Sequence, residues 1–411
     1  MWQPVAGALA IARAVLAVPV GYLSVLTGAA WWATLRGRQS TGDPPARSRF
    51  AVLVPAHDEE HVIGDTLRAM AAVDHDDFAV HVVADHCTDK TVAVAEAAGV
   101  EVLEHDGPTR GKGPALEWAI RRLLASPSPP DVFVIVDADT VVVPTFLREI
   151  ERALTDGGRA VQGQYRVRDP GSSTGAGLRA VALALRHHVR PLGRTSLGAS
   201  CGLYGNGMAF TADVLAARTW TSHLTEDVEF QMELLLDGVL VRYAPAAVVE
   251  ALMPPTLEGA QTQNERWERG RLDLAKRYVP QLVRWAVRPA PDRSAPRVPR
   301  VAALDGALDH LVPPLSVLAT ATGGVAVAGS AVSLLRGSGR HWPGWLLVAA
   351  LGGHVVSGLV LAKLPASVYR SLLHAPAMVV WKVRLWLRAL TPADDVDWVR
   401  TARTVEDPVT R

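Results

Sequence analysis

Residues 131–139 read Asp131-Val132-Phe133-Val134-Ile135-Val136-Asp137-Ala138-Asp139. Five consecutive apolar residues, too short for a helix and rich in β-branched side chains, predict a strand buried on both faces. Two carboxylates spaced i and i+2 close it. Upstream the same grammar repeats. Phe50–Pro55, Ala79–Ala84 and Val100–Leu103 are short apolar runs, hence strands. Glu59–Ala72, Lys90–Ala98 (closed by Gly99) and Pro114–Leu124 have helical periodicity and lie between them. Strands alternating with helices predict an α/β fold with a mostly parallel sheet and helices on both faces. In such sheets ligands bind beyond the carboxyl ends of the strands. His57, Asp58 and Glu59 follow the first strand, Asp85, His86 and Asp89 the second, and Asp137 and Asp139 the fourth. Separate strand ends therefore converge on one crevice. No GxGxxG and no GxxxxGK[ST] occurs, so neither a dinucleotide fingerprint nor a P-loop is expected.

Each of these groups has its own chemistry. Asp137 and Asp139 at a strand end can both reach a hard divalent cation, which takes oxygen ligands and keeps positions open for phosphate; a turn cap is the alternative. Thr225-Glu226-Asp227 is either a helix N-terminus stabilised by its dipole or the place of a general base. Gln263-Asn264-Glu265-Arg266-Trp267 sets an amide, a guanidinium and an indole close together, suited to a sugar and a phosphate, or to a plain surface helix. Gly111-Lys112-Gly113 puts a lysine on a flexible loop. Gly205-Asn206-Gly207 is a close-approach turn.

Composition and the outer segments add a membrane. Of 411 residues, 49% are apolar and 20% charged, and the net charge is +1. That balance excludes a nucleic-acid binder of the basic kind. Two cysteines far apart, Cys87 and Cys201, imply no disulfide framework and a reducing compartment. Ala14–Leu35 is 22 residues without a charge, preceded by Arg13 and trailed by Arg36, Arg38, Arg47 and Arg49. It is long enough to span a bilayer, and the arginines put the α/β domain in the cytoplasm; a cleaved signal peptide is the competing reading. Leu311–Leu335 and Trp342–Ala362 are 25 and 21 residues without Asp, Glu, Lys or Arg, joined by a tight loop, Arg336–His341. They form a spanning hairpin that returns to Lys363 and Arg370, or a buried core hairpin. Arg336 and Arg340 in its loop work against the charge rule. Leu272–Arg288 and Ala375–Leu390 mix tryptophans or leucines with basic residues, as interfacial helices or helices packed on the soluble domain do. A proline-rich linker lies between Arg288 and Arg300. The expected organisation is a spanning helix in 1–40, a catalytic α/β domain in 45–270, an interfacial helix and linker in 271–300, a spanning hairpin in 301–370, and an interfacial helix and tail in 371–411.

Six motifs in order carry a resemblance: Val54-Pro55-Ala56-His57-Asp58-Glu59-Glu60, Ala84-Asp85-His86-Cys87-Thr88-Asp89, Gly111-Lys112-Gly113, Asp137-Ala138-Asp139, Thr225-Glu226-Asp227 and Gln263-x-x-Arg266-Trp267. Together they cover about 220 residues, and the sequence resembles a membrane-bound family 2 glycosyltransferase, the group that includes cellulose synthases, hyaluronan synthases and ceramide glucosyltransferases. The resemblance implies a GT-A fold, inversion at the sugar, a UDP-sugar donor and Mg²⁺ or Mn²⁺. It implies that Pro55, His57, Glu59, Asp85, Lys112 and Asp137 line the nucleotide, that Asp139 ligates the metal with Asp137 near it, and that Asp227 is the base with Glu226 beside it. Gln263, Arg266, Trp267 and Gly207 would border donor and acceptor. Asp58 stands where Asn is usual, and His86 where Asp or Asn is frequent, which bears on the donor's base. Three spans are few for a saccharide tunnel. A lipid or short saccharide acceptor at the cytoplasmic face of a cell membrane is therefore expected, with membrane lipids as partners. A processive polysaccharide synthase is the alternative, and a homodimer could complete a channel. A sensor with a dead site is disfavoured because every acidic position is present. A transporter is disfavoured because the spans lack charges and repeats.

Overall fold

A computed structural model describes residues 3–37, 48–221, 225–252, 261–287, 299–336 and 342–389, with side chains of 261–266 and 389 undescribed. The linker 288–298, the hairpin loop 337–341 and the tail 390–411 expected from the sequence lie outside the described residues, as do Arg38 and Arg47.

Helix α1, Gln3–Arg36, precedes the sheet. Strands β1 (Phe50–Ala56), β2 (Phe78–Asp85), β3 (Glu101–His105) and β4 (Val132–Ile135) alternate with α2 (Ile63–Ala71), α3 (Thr91–Ala97) and α4 (Lys112–Leu124). These four strands pair in parallel in the order β3-β2-β1-β4. The second half adds β5 (Thr140–Val142), α5 (Phe146–Thr155), β6 (Ala160–Val167), α6 (Thr174–Ala184), a π-helical turn Leu185–Val189, α7 (Arg190–Ser196), β7 (Met208–Thr211), α8 (Ala212–Ala216), α9 (Glu226–Leu236) and β8 (Val241–Ala251). The full order is β3-β2-β1-β4-β7-β6-β8-β5. β7 is antiparallel to β4 and β6, and β5 to β8, so the sheet is parallel in its first half and mixed in its second.

The two-residue period of β1 explains the layers. Phe50, Val52 and Val54 face Ile63, Leu67 and Met70 of α2 and Phe146, Leu147 and Ile150 of α5. Ala51 and Leu53 face Leu116 and Ile120 of α4 and Phe230 and Leu234 of α9. Each of these Val, Leu, Ile, Met and Phe side chains, fully buried, contributes about 1.5–3 kcal/mol. Two boundaries differ from the sequence reading. Residues 59–62 form a turn, with the Val62 and Ile63 amides donating to the Glu59 carbonyl, so α2 starts four residues late. Lys112, expected on a loop, is the first residue of α4, because Gly111 takes φ +120 and turns the chain into the helix.

After the sheet come α10 (Gln261–Val287), α11 (Arg300–Leu311), α12 (Leu315–Leu335), α13 (Trp342–Leu361), α14 (Ala366–Ser371) and α15 (Ala375–Ala389). α1, α12 and α13 are long and apolar enough to cross a membrane. The sequence reading overlooked the run α6–π turn–α7, on which the sheet meets these helices. Gly193 of α7 lies so close to α1 that a Cβ would strike the Leu26 carbonyl, and Gly358 of α13 lies against Leu185. Arg194, 1% exposed, joins Asp305 (2.7 Å) and Asp309 (3.2 Å) of α11, and the Tyr22 hydroxyl of α1 donates to Asp305 at 2.8 Å.

Candidate functional site

The candidate site gathers at the carboxyl ends of β1, β2 and β4. Its first wall is two loops knitted together. Asp58 adopts φ +53 and its Oδ1 accepts from the amides of Thr88 (2.7 Å) and Asp89 (3.2 Å). Burial would raise its pKa, but these donors and His57 hold it below the ordinary value. Asn offers the same acceptor and tolerates the same φ, so Asp58 fills a place that Asn could fill. His57 bonds the Asp85 carbonyl oxygen through Nδ1 at 2.6 Å, and the Glu59 amide donates to Thr91 Oγ1 at 2.8 Å. Pro55 is the penultimate residue of β1.

Asp85 is a hub. Its Oδ1 meets Nδ1 of both His86 and His105 at 2.8 Å, and its Oδ2 accepts from the Gly111 amide at 2.9 Å. Burial pushes its pKa up, yet the bonds from His105, Gly111 and His86 outweigh it and hold the carboxyl below its ordinary value. The hub ties β2 and β3 to the start of α4 and so fixes Lys112.

Lys112 is the centre of the second wall. Its Nζ donates to Asp137 Oδ1 and to the Gly205 carbonyl, both at 2.5 Å. A Cβ on Gly205 would sit 3.4 Å from Asp227 Oδ2 and 3.7 Å from Lys112 Nζ. A Cβ on Gly113 would reach the Thr221 carbonyl and lie 3.9 Å from Glu226 Cβ. Lys112, Asp137, Glu226 and Asp227 are thus one electrostatic group. Burial lowers the lysine's pKa, but Asp137, Glu226 and Asp227 outweigh it and raise it. Burial raises Glu226, and Asp227 beside it raises it further, against Lys112. Burial raises Asp227 too, with Lys112 opposing. Glu226 and Asp227 open α9, a helix start that the sequence also offered, and stand close enough to Lys112 to raise its pKa.

Of the residues that hold this wall, Gln162, Tyr165, His187 and Tyr204 were not singled out in the sequence, and Asn206 only as part of a close-approach turn. Asn206, fully buried, accepts the Asp137 amide (3.2 Å) and donates to Thr140 Oγ1 (2.7 Å). Gln162 donates to the Asn206 carbonyl (2.8 Å) and accepts the Tyr204 amide (3.0 Å). His187, on the π-helical turn, stacks between Tyr204 (4.0 Å between centroids) and Tyr165 (5.4 Å). The Tyr-Gly-Asn-Gly string at 204–207 was the available signal. Gly207 takes φ +67 with Val249 pressed against its Cα, which makes it a packing position.

Asp139 is 5% exposed, two residues past Asp137, and its Oδ1 accepts from Thr140 Oγ1 at 3.3 Å. With one oxygen of Asp137 on Lys112, the pair still offers hard carboxylate oxygens at a strand end, a donor set that fits Mg²⁺ or Mn²⁺. Two other groups have ligand atoms within 4.8 Å of one another, Asp85–His86–His105 and Asp58–Cys87–Asp89. The bonds above hold the first; in the second, Cys87 Sγ donates to the Ala56 carbonyl (3.5 Å), and the Asp89 carboxylate accepts from the amides of Glu60 (3.0 Å) and Thr91 (2.8 Å). Gln263, Arg266 and Trp267 all lie on α10. The first two side chains are outside the described residues; Trp267 is 50% exposed. Three residues on, a Cβ at Gly270 would lie 2.6 Å from Thr225 Oγ1, so α10 meets the chain beside Glu226.

The sequence model of a family described as "Glycosyltransferase like family 2" matches residues 45–270. A poly-β-1,6-N-acetyl-D-glucosamine synthase of Staphylococcus aureus is 26% identical over 230 residues, 53% of this chain and 53% of that protein. The chain therefore spans about half the length of the curated relatives it matches. Among solved structures, a mannosyltransferase from Pyrobaculum calidifontis in complex with GDP-Man and Mn²⁺ aligns with a TM-score of 0.53 at 19% identity, over 86% of this chain and 97% of that one. That likeness is one of fold, GT-A.

Proposed function

This chain belongs to glycosyltransferase family 2, and from that premise we propose that it transfers a sugar from a UDP-sugar, with inversion, to a lipid or saccharide hydroxyl at the cytoplasmic face of a membrane. The observation that carries the proposal is the Lys112 group: one ammonium held between Asp137 and the Gly205 carbonyl, with Asp227 and Glu226 in its field.

In the proposed reaction the acceptor oxygen attacks the anomeric carbon as the bond to the diphosphate oxygen breaks. Asp227 takes the acceptor's proton, and the nucleoside diphosphate leaves with the electron pair. A single displacement needs one base and a stabilised leaving group, and it inverts the centre. Burial keeps Asp227 basic, and Asp227 in turn raises the pKa of the buried Glu226 beside it. Lys112 orients Asp137 and presents positive charge to the diphosphate. Asp139, with Asp137, would hold a divalent cation, which when bound neutralises charge on the leaving diphosphate. Pro55, His57, Glu59 and Asp85 line the nucleotide side. Gln263, Arg266 and Trp267 border donor and acceptor from α10, and Gly207 shapes the floor.

The catalytic unit is proposed as residues 45–270, with α1 and the α12–α13 hairpin crossing the membrane. A processive synthase is the second reading, favoured by the name of the staphylococcal relative. Incubation of purified protein with UDP-sugars, with UDP release and product length as readouts, tests both. Release of UDP that needs acceptor-bearing membranes supports transfer, and a ladder of products supports the second reading. No release with any nucleotide-sugar sinks the proposal.

A further inference from the structure

A cavity of about 130 Å³ opens between the end of β6, the α6–π turn segment and the turn that succeeds α13. A single water needs about 10–15 Å³, so it has room for a larger group. Its lining combines cations, Arg166, Arg168 and Lys363, with apolar side chains, Leu183, Ala184 and Leu364. Glu250 also lines it and pairs with Arg166 at 3.1 Å. Arg168 pairs with Asp65 at 3.1 Å. Arg166 Nε nevertheless stays buried with no hydrogen-bond partner among the described residues, and Lys363 has no ion-pair partner among them.

Lys363 carries a second, independent signal. Among the described residues three that are not glycine have positive φ: Asp58, His86 and Lys363. The first two shape the donor crevice. Lys363, at φ +52, stands at the C-terminal stop of α13, where its amide bonds the Val360 carbonyl (3.1 Å) and the Leu364 amide bonds the Leu359 carbonyl (3.0 Å). That is the double bond pattern that helices usually close with glycine. A long cationic side chain in that place is strained, and strain of this kind is kept where the side chain has work. α13 is long and apolar enough to span a bilayer, so its end lies at headgroup depth.

We propose that this cavity binds the phosphate headgroup of a membrane lipid, with Lys363 and Arg166 on the phosphate and the α6 side against the acyl chain. The lipid sits against β6, the strand that also carries Tyr165 and Gln162 to the crevice wall. The inference rests on α13 crossing a membrane and not on the transfer reaction.

The test uses the full chain in uncharged detergent and reads its melting temperature during titration with short-chain phosphatidic acid, the matching diacylglycerol, or inorganic phosphate. Phosphatidic acid alone is expected to raise it in a saturable way. Lys363→Gly relieves the backbone strain, so it is expected to fold and melt no lower than wild type without lipid, while its apparent affinity for phosphatidic acid falls about tenfold or more, the loss of one charge-assisted phosphate contact. Arg166→Gln is expected to weaken binding similarly. An equal response to diacylglycerol would make the site merely greasy, and an equal response to inorganic phosphate would make it a site for the free ion. Either overturns the proposal, as does unchanged affinity in Lys363→Gly.

Discussion

Lys112 faces three carboxylates, Asp137, Glu226 and Asp227, and each of the four can be changed separately. Asp227→Asn keeps shape and removes proton-accepting power. Turnover is predicted to fall by about a hundredfold or more, with nucleotide-sugar binding largely kept; a near-normal rate would move the base elsewhere, Glu226 first. Because burial raises both Asp227 and Glu226, the acid limb of the rate is expected at higher pH than an ordinary carboxylate gives. The same shift sets a stability rule. For an acid whose folded pKa is raised, the stability it contributes is full below the unfolded pKa, about 4.3 for Glu, and is lost as pH rises through the folded value. Glu226→Gln is therefore predicted to melt above wild type at pH 8 and to lose that advantage at pH 4. An equal difference at both pH values would mean that Glu226 is not held in a like-charge field.

α10 and the π-helical turn both reach the surroundings of the Lys112 group, α10 at Thr225 and the turn through His187 stacked on Tyr204. Gly270→Val would drive a side chain into Thr225, and so push α10 off the start of α9. The expected result is a strong loss of transfer while the sheet stays folded by circular dichroism. Trp267→Ala and Arg266→Lys should also cut transfer strongly if this helix borders the donor, since lysine lacks the planar fork; surface changes alone would cost little. The first half of the sheet was readable in the sequence because each parallel strand is a separate apolar run buried on both faces. In the second half β5 and β7 were hidden, because they are only three and four residues long and run against their neighbours. Thr174–Ser196 was hidden as well, since its alanines, glycines and arginines look like neither a span nor an ordinary amphipathic helix. That segment serves two surfaces at once, the sheet and the long apolar helices α1 and α13. The site divided the same way. Carboxylates at strand ends follow from topology, whereas Asn206, Gln162 and the Tyr204–His187–Tyr165 stack depend on contacts between distant segments.

At the scale of the whole chain, the 45–270 unit is predicted not to be detachable from the helices around it. α1 packs on α7 at Gly193, and Arg194 is buried against Asp305 and Asp309 from α11. A fragment of residues 45–270 removes both partners and strips the apolar cover that Ala30 of α1 and Leu359 and Leu361 of α13 give to Val181, Leu185 and Val189. It is predicted to be unstable and inactive; transfer at the full-length rate would make the membrane helices mere anchors. The most direct measurement is UDP release by the purified full-length chain from a panel of UDP-sugars in acceptor-bearing membranes, with and without EDTA, beside Asp139→Ala. Release from at least one donor, abolished by EDTA, restored by Mg²⁺ or Mn²⁺ and absent in Asp139→Ala, is the predicted result. Full release in EDTA, or wild-type release by Asp139→Ala, would contradict the metal site at the end of β4, and no release from any donor would contradict the transfer itself.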